Sequence, residues 1–169
     1  MGKEKESDPV FIGFGYDRHP LVEGRKLVLA GVEIDSPVGS LGHSDGDVLS
    51  HAIIDALLGA AGLGDIGTWF PETEEYKDAN SLELLKKTMD MIEERGFKVI
   101  NVDSTVVLSG VRLSTYRDRI LENLKSVLKT PHVNVKFKSG NTLGFEGEGR
   151  GISAYAVCLV EEKECTKST

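Results

Sequence analysis

Residues 48–61 constrain the fold of this chain most, because they predict a helix with a buried face. The apolar residues of this segment recur at the three- and four-residue spacing of one helical face, namely Leu49, Ala52, Ile53, Ala56, Leu57 and Ala60. Asp45 or Asp47 could cap the start of the helix, and Gly62 and Gly64 could end it. We expect the rest of the chain to pack around this element.

Three polar residues of the same region form a second stripe. Asp47, His51 and Asp55 are spaced four apart, so that each side chain lies one helical turn above the previous one. A carboxylate beside an imidazole can fix the tautomer of the ring. The pattern predicts a helix that packs through one stripe and presents a histidine flanked by carboxylates on another.

Ligand-type side chains also follow the first predicted strand. Residues 10–16 are β-branched and aromatic, with glycines that would let another backbone or a ligand approach closely. In an extended chain Asp17 and His19 point to one side and Arg18 to the other. With His51 they supply one carboxylate and two imidazoles, a set that suits a tetrahedral Zn²⁺ with an open fourth position. The alternative is a turn aspartate with a hydrogen-bonded histidine.

Two segments could bind an anion. His43 and Ser44 precede the helix N-terminus, where free N–H groups and the helix dipole favour a phosphate oxygen, although Ser44 and Asp45 could simply be caps. Residues 138–141 combine a lysine with glycine backbone donors, but they have neither dinucleotide-binding nor P-loop spacing. Residues 68–77 show no helical or strand period and could form a lid.

Composition and charge exclude several classes of protein. The net charge of −7 argues against a nucleic-acid partner, because no basic patch is available for a phosphate backbone. No window of eighteen apolar residues occurs, and residues 1–9 are rich in charged side chains. We therefore expect neither a membrane partner nor an export signal. The two cysteines, Cys158 and Cys165, lack ligand-like spacing and an obvious disulfide partner, which suits a cytoplasmic location.

The remaining pattern predicts one domain over residues 10–162, with a flexible leader at 1–9 and a tail at 163–169. A hairpin is predicted from strands at 25–29 and 32–34, and further strands at 99–108, 132–137 and 152–160. Further helices are predicted to start at Asn80 and at Ser114. Residues 35–42 and 138–151 are predicted to be loops. The last strand is apolar on both faces. We therefore predict an α/β (α+β) fold, a mixed sheet with helices packed on one face and another subunit on the other.

Three motifs are more specific than their chemistry alone. Residues 15–19 read GYDRH, residues 43–59 read HSDGDVLSHAIIDALLG, and residues 63–67 and 70–71 read LGDIG and FP. Together they closely resemble the 2-C-methyl-D-erythritol 2,4-cyclodiphosphate synthase family of the non-mevalonate isoprenoid pathway, over about residues 10–160. The resemblance implies a homotrimer of α/β subunits, with sheets facing inwards and an active site at each subunit interface.

The same resemblance implies roles for individual residues. Asp17, His19 and His51 would bind Zn²⁺, and His43 and Ser139 would stabilise the transition state. The methylerythritol phosphate portion of the substrate would contact Ser44, Asp65, Ile66, Gly67, Phe70, Pro71, Glu72, Thr73 and Glu74. Residues 108–114 and 138–141 would shape the cytidine and diphosphate pocket across the interface. The other candidate substrate-binding residues are Arg112, Lys138, Gly140 and Asn141 from these ranges, and Phe145.

The implied reaction is an intramolecular phosphoryl transfer. The 2-phosphate of 4-diphosphocytidyl-2-C-methyl-D-erythritol 2-phosphate attacks the β-phosphorus and expels CMP, which makes the enzyme a phosphorus–oxygen lyase. A second ion, Mg²⁺ or Mn²⁺, would bridge the diphosphate. Asn141 stands where the family pattern has a glutamate ligand for that ion, and Glu148 stands where it has a basic residue, with Arg150 two positions later.

Two other functions fit the same residues. A metal-dependent phosphohydrolase would use the open zinc position to activate water. A trimeric protein that binds a cytidine nucleotide or an isoprenoid without turnover would account for the departures at Asn141 and Glu148. A structural metal is less consistent with the sequence, because no fourth protein ligand is evident.

Overall fold

The two ends of the described chain lie side by side in the middle of the sheet. In the computed structural model, which describes residues 8–163, β1 (Val10–Glu23) pairs antiparallel with β7 (Gly151–Glu162), from Val10 opposite Glu161 to Pro20 opposite Gly151. The flanking strands are β4 (Val38–Ser40), β5 (Phe97–Val107) and β6 (Val133–Lys138). The strand order is β4-β1-β7-β5-β6, and only the β5–β6 pair is parallel. The predicted mixed sheet is confirmed.

Helices cover one face of this sheet, as the sequence predicted. The long helices are α1 (Val48–Ala60), α3 (Ser81–Glu94) and α4 (Arg117–Leu128), and the short ones are α2 (Ile66–Trp69) and α5 (Gly144–Gly147). Helix α1 packs across β1 and β7, whereas α3 contacts β5 and α4 contacts β6. The predicted hairpin is present as β2 (Leu27–Leu29) and β3 (Val32–Ile34). Within residues 8–163, no helix is both long and apolar enough to cross a membrane.

Helix α1 lies unusually close to β1 because two strand residues have no side chain. A Cβ built on Gly13 would lie 1.7 Å from the carbonyl oxygen of Ala56, and one on Gly15 would lie 1.8 Å from that of Ala52. Asp47 caps the helix by accepting the N–H of Ser50 at 3.0 Å. The predicted cap and the close backbone approach at the strand glycines are both confirmed.

The opposite face of the sheet carries a stripe of exposed apolar side chains. On β7, Ala154, Ala156 and Cys158 are buried under the helices, and the alternate residues Tyr155 and Val157 face away from them. The stripe continues on β1 through Ile12, Phe14 and Tyr16, which are 73%, 64% and 37% exposed. The rings of Tyr16 and Tyr155 stack with their centroids 5.0 Å apart. A single chain therefore leaves this stripe, which we call the open apolar face, in contact with solvent.

Several element boundaries differ from the prediction. Helix α4 begins at Arg117 instead of Ser114, because Leu113–Tyr116 form a 3₁₀ turn that buries Leu113. The predicted loop at 35–42 contains β4, which pairs with the end of β1. The predicted loop at 138–151 contains a 3₁₀ turn, Gly140–Thr142, and α5.

The predicted leader and tail overlap the described residues only at their inner ends. The carbonyl of Pro9 accepts the N–H of Glu162 at 2.9 Å, and the N–H of Lys163 donates to Gly96 at 2.9 Å. Residues 1–7 and 164–169, including Cys165, lie outside the described residues. The leader and tail stay predictions.

Candidate metal centre and active site

The three predicted metal ligands meet between β1 and the first turn of α1. Asp17 and His19 continue the strand face that holds Gly13 and Gly15, so both point towards the helix. His51 comes from α1 and is buried. One ligand atom from each of the three residues lies within 4.8 Å of the other two. The structure therefore brings the predicted set together.

The geometry of the cluster fits a shared cation. Oδ2 of Asp17 lies 2.8 Å from Nδ1 of His51 and 3.0 Å from Nε2 of His19. The contact with His51 is a hydrogen bond, whereas the buried Nε2 of His19 has no well-aligned partner among residues 8–163. An oxygen and two ring nitrogens that converge on one point, with one nitrogen unpaired, form a donor set suited to a divalent cation.

The electrostatics of the cluster favour an ionised carboxylate. Burial of Asp17 opposes ionisation, but the hydrogen bond from His51 and the nearby, positively charged rings of His19 and His51 outweigh it and lower the pKa of Asp17 to about 2. Burial also lowers the pKa of His51, yet the hydrogen bond and charge of Asp17 outweigh it, and the net pKa is raised above 6.5. The Asp17 side chain is therefore an ionised carboxylate at any physiological pH.

The second ring nitrogen of His51 faces a polar group that the sequence did not indicate. Nε2 lies 2.8 Å from Oγ of Ser81 and 3.1 Å from Oγ of Ser44. The hydroxyl of Ser81 donates in turn to the carboxylate of Asp45. Ser81 follows Asn80, the N-cap of α3, and the capping pattern alone suggested only a structural role for this segment.

The prediction that Asp47 and Asp55 flank the His51 imidazole as its partners on α1 was wrong. Asp47 accepts hydrogen bonds from both N and Oγ of Ser50 and from the N–H of Gly31. Asp55 accepts the N–H of Ile66 at 2.8 Å. Burial raises the pKa of each carboxyl, with the neighbouring Asp45 adding to the effect at Asp47. Both side chains fix loops, and neither is hydrogen-bonded to the His51 imidazole.

A pocket of about 250 Å³ opens beside the metal ligands. It is lined by His19, His43, Ser44, His51, Ile66, Gly67, Phe70, Pro71, Glu72, Tyr76 and Leu84. Most of the predicted residues for the methylerythritol phosphate are in this set, and Tyr76 and Leu84 are additions that sequence reasoning missed. Phe70 and Tyr76 pack edge to face, with ring centroids 5.6 Å apart.

Asp65, Thr73 and Glu74, the other predicted residues of this region, stabilise the segments that carry the pocket residues. Asp65 caps α2 by accepting the N–H of Thr68 at 2.9 Å. The carbonyl of Thr73 lies 2.7 Å from Nε2 of His43 and fixes that ring. Glu74 begins a 3₁₀ turn that ends at Tyr76. These three residues do not line the pocket themselves.

Arg25 holds the loop that carries His43 and Ser44. Its Nη2 donates to the carbonyls of Gly42 and Ser44 at 3.0 and 3.1 Å, and its Nε donates to that of Ser40. No pattern in the sequence indicated this contact, because Arg25 starts a predicted strand and resembles an ordinary surface residue.

The second predicted set lies on the connection between β6 and β7. Lys138 ends β6, and Ser139, Gly140 and Asn141 form a turn in which Asn141 has a positive φ of 50°. The pocket that contains His43 is lined by none of these four residues, and Arg112 does not line it either. Among the described residues, Ser139 is therefore outside the pocket that contains His43.

A further pocket of about 310 Å³ contains Phe145. Its other lining residues are Arg18, His19, Pro20, Arg150 and Gly151. The guanidinium of Arg18 lies 5.8 Å from the centre of the Phe145 ring. Arg150 pairs with Glu148 at 2.7 Å, so the acidic residue that departs from the family pattern is neutralised by its neighbour.

Comparison with known proteins identifies the family. The model of the YgbB family matches residues 10–161. The chain belongs to the YgbB family. The 2-C-methyl-D-erythritol 2,4-cyclodiphosphate synthase of Thermotoga maritima is 82% identical over 97% of this chain and 99% of its own length. The enzyme of the same name from Fusobacterium nucleatum is 49% identical over 91% of this chain and 98% of its own length.

Solved structures of other proteins share the fold. A 2C-methyl-D-erythritol-2,4-cyclodiphosphate synthase in a CDP-bound form has a TM-score of 0.82 and 37% identity, over 89% of this chain and 99% of that one. The bifunctional IspDF from Campylobacter jejuni has a TM-score of 0.88 and 40% identity, over 93% of this chain and 43% of that one. The resemblance inferred from the motifs is confirmed.

Proposed function

We propose that this YgbB-family chain converts 4-diphosphocytidyl-2-C-methyl-D-erythritol 2-phosphate to 2-C-methyl-D-erythritol 2,4-cyclodiphosphate with release of CMP, a step of the non-mevalonate isoprenoid pathway. One observation carries the proposal. The ligands Asp17, His19 and His51 meet at a pocket that also contains His43 and Ser44, in a chain 82% identical to a synthase of that name.

The reaction needs no protein nucleophile. An oxygen of the 2-phosphate forms a bond to the β-phosphorus, the bond from that phosphorus to the CMP phosphate breaks, and CMP leaves with the electron pair. Catalysis then consists of positioning and charge neutralisation, as in other phosphoryl transfers. Zn²⁺ held by Asp17, His19 and His51 would supply positive charge beside a substrate phosphate.

The residues of the chain would position the substrate around that charge. The carbonyl of Thr73 can only accept, so Nε2 of His43 carries a hydrogen and Nδ1 is left for the substrate. Ser44 lines the pocket and can donate its hydroxyl to a phosphate oxygen. Ile66, Gly67 and the Phe70 side of the pocket would enclose the methylerythritol carbons.

A homotrimer would complete the site. The open apolar face is a surface that a second copy of the chain would cover, and residues such as Ser139, Lys138 and Arg112 would then reach the substrate across the interface. A second ion, Mg²⁺ or Mn²⁺, would bridge the diphosphate near Asn141, whose neutral oxygen is a weaker ligand than a carboxylate. We also expect the reaction to take place in the cytoplasm.

A binding protein without turnover is the second candidate, because Glu148 pairs with Arg150 in place of a free basic residue. Phosphorus NMR of the zinc-loaded protein with substrate and Mg²⁺ separates the possibilities. Cyclic diphosphate and CMP from wild type, with loss of both in His51→Ala, are the expected result. Inorganic phosphate without the cyclic product would indicate a phosphohydrolase, and CDP binding without CMP release would indicate a binding protein.

A further inference from the structure

A buried serine contacts the His51 imidazole from outside the metal-ligand cluster. Ser81 is the first residue of α3 and its side chain is fully buried. Its Oγ lies 2.8 Å from Nε2 of His51, on the side of the ring away from Asp17. Ser81 therefore links α3 to a metal ligand on α1.

The hydrogen of the Ser81 hydroxyl is already committed. Both carboxylate oxygens of Asp45 accept backbone N–H groups, one from Asp47 at 3.2 Å and the other from Ser81 itself at 2.9 Å. The carboxylate has no hydrogen to offer, so the hydroxyl of Ser81 donates to Asp45. Its oxygen is left as an acceptor towards His51.

An acceptor at this point dictates the tautomer of a neutral imidazole. Because Oγ of Ser81 accepts, Nε2 of His51 carries a hydrogen. In the neutral ring that binds a metal, Nδ1 therefore carries the lone pair, in place of the hydrogen that it shares with Asp17 when no metal is bound. Nδ1 is the nitrogen that lies 2.8 Å from Asp17, inside the cluster. The serine thus places the lone pair where a metal would need it.

We propose that Ser81, oriented by Asp45, is a positioning residue that holds His51 in the Nε2–H tautomer and so prepares Nδ1 to bind the metal. The inference rests on the metal role proposed above. Outer contacts of this kind to a ligating histidine commonly change metal affinity about tenfold to a hundredfold.

Ser44 is the competing partner of the same nitrogen, at 3.1 Å. It differs from Ser81 because it lines the pocket, where its hydroxyl can turn towards a ligand. Ser44 is also not hydrogen-bonded to a carboxylate that would fix the direction of its hydrogen, among the contacts of residues 8–163. Ser81 is thus the partner that fixes the ring.

The test is competition for Zn²⁺ between a chromophoric chelator and the full-length protein. We expect Ser81→Ala to weaken Zn²⁺ binding about tenfold to a hundredfold. The matched control is Ser104→Ala, which removes another buried hydroxyl, one on β5 that donates to the backbone carbonyl of Asn134 on β6 at 3.0 Å. It should leave Zn²⁺ affinity unchanged. Asp45→Ala should weaken binding as well, since it frees the Ser81 hydroxyl to donate to Nε2.

A spectroscopic measurement on the unmodified protein keeps the proposal testable if a variant fails to fold. Long-range proton–nitrogen NMR of the zinc-loaded wild type should show His51 with a hydrogen on Nε2 and none on Nδ1. A hydrogen on Nδ1, wild-type Zn²⁺ affinity in folded Ser81→Ala, or a loss of affinity in Ser44→Ala alone would overturn the proposal. These results do not depend on turnover, so they are distinct from a failure of the synthase reaction.

Discussion

Gly15 on β1 and Ala52 on α1 meet backbone to backbone: a methyl group on Gly15 would lie 1.8 Å from the carbonyl oxygen of Ala52. Asp17 follows Gly15 by two residues, and His51 directly precedes Ala52. The contact therefore sets the separation between Asp17 on the strand and His51 on the helix, two of the proposed metal ligands.

Replacement of Gly15 by alanine should destabilise the protein strongly. The added methyl group meets backbone atoms that cannot rotate away, so α1 must move off β1. We expect the free energy of unfolding in urea to fall by about 3 kcal/mol or more. Gly59→Ala is the control, because Gly59 lies in α1 with nothing within 4 Å of the added group. The free energy of unfolding of Gly59→Ala should rise by about 0.5–1 kcal/mol. Equal effects of the two variants would contradict a close backbone contact at Gly15.

Arg25 should matter for turnover more than for folding. Removing its guanidinium frees the carbonyls of Gly42 and Ser44 and loosens the loop that carries His43. We expect Arg25→Ala to lower kcat about tenfold to a hundredfold, measured as CMP release. Arg25→Lys should not restore the rate, because an ammonium cannot reproduce the planar fork. The neighbouring Lys26→Ala, which loses only an exposed ion pair with Glu33, should turn over normally.

The stability of the metal-free protein should decline as the pH rises above about 6.5. The pKa of His51 is raised above its ordinary value of 6.5 by Asp17 against the effect of burial. The protonated ring therefore contributes stability that is complete below pH 6.5 and lost as the pH passes the raised value. Asp17 adds nothing to this slope, since its contribution is present above the ordinary aspartate pKa of 3.8 and is lost only as the pH falls through about 2.

Zn²⁺ should reverse that trend, because it competes with a proton for His51. Thermal unfolding of metal-free and zinc-saturated protein, between about pH 6 and about pH 8, would measure both slopes. The difference in Tm between the two forms should widen with pH. His51→Gln should abolish both effects, and a Tm difference that narrows with pH would contradict the assignment.

An acidic residue on the open apolar face should dissociate the proposed trimer. Phe14 is 64% exposed in the single chain, and a carboxylate at this position would be buried without a partner in the assembly. We expect Phe14→Asp to sediment as a monomer and to lose CMP release. Lys125→Glu, a charge change on the exposed side of α4, should keep both. Unchanged sedimentation of Phe14→Asp would argue that this face is not the interface.

Local periodicity explains which features could be predicted from sequence. Strand alternation placed Asp17 and His19 on one side, and helical spacing placed His51 on a buried element, so the metal cluster followed from short-range geometry. The contact between Asp45 and Ser81 joins residues 36 positions apart. No local pattern encodes such a pairing, and the capping pattern at Asn80 predicted only the start of a helix.

Tertiary pairing also accounts for the missed elements. Strand β4 has only three residues, and it exists because the end of β1 supplies its hydrogen-bond partners. Helix α4 starts late because Leu113–Tyr116 form a 3₁₀ turn, and the Tyr116 hydroxyl in that turn accepts the N–H of Asp35, which is distant along the chain. Each case depends on a neighbour that lies far away in sequence.

The close backbone contact of Gly13 and Gly15 with α1 also separates folding from metal loading. Backbone packing alone holds together the two elements that carry Asp17, His19 and His51, so the proposed metal ligands do not depend on an ion to bring them together. Chelation should therefore yield a folded apoprotein that can be reloaded, and the choice of ion would follow from what the cell supplies more than from the assembly of the fold.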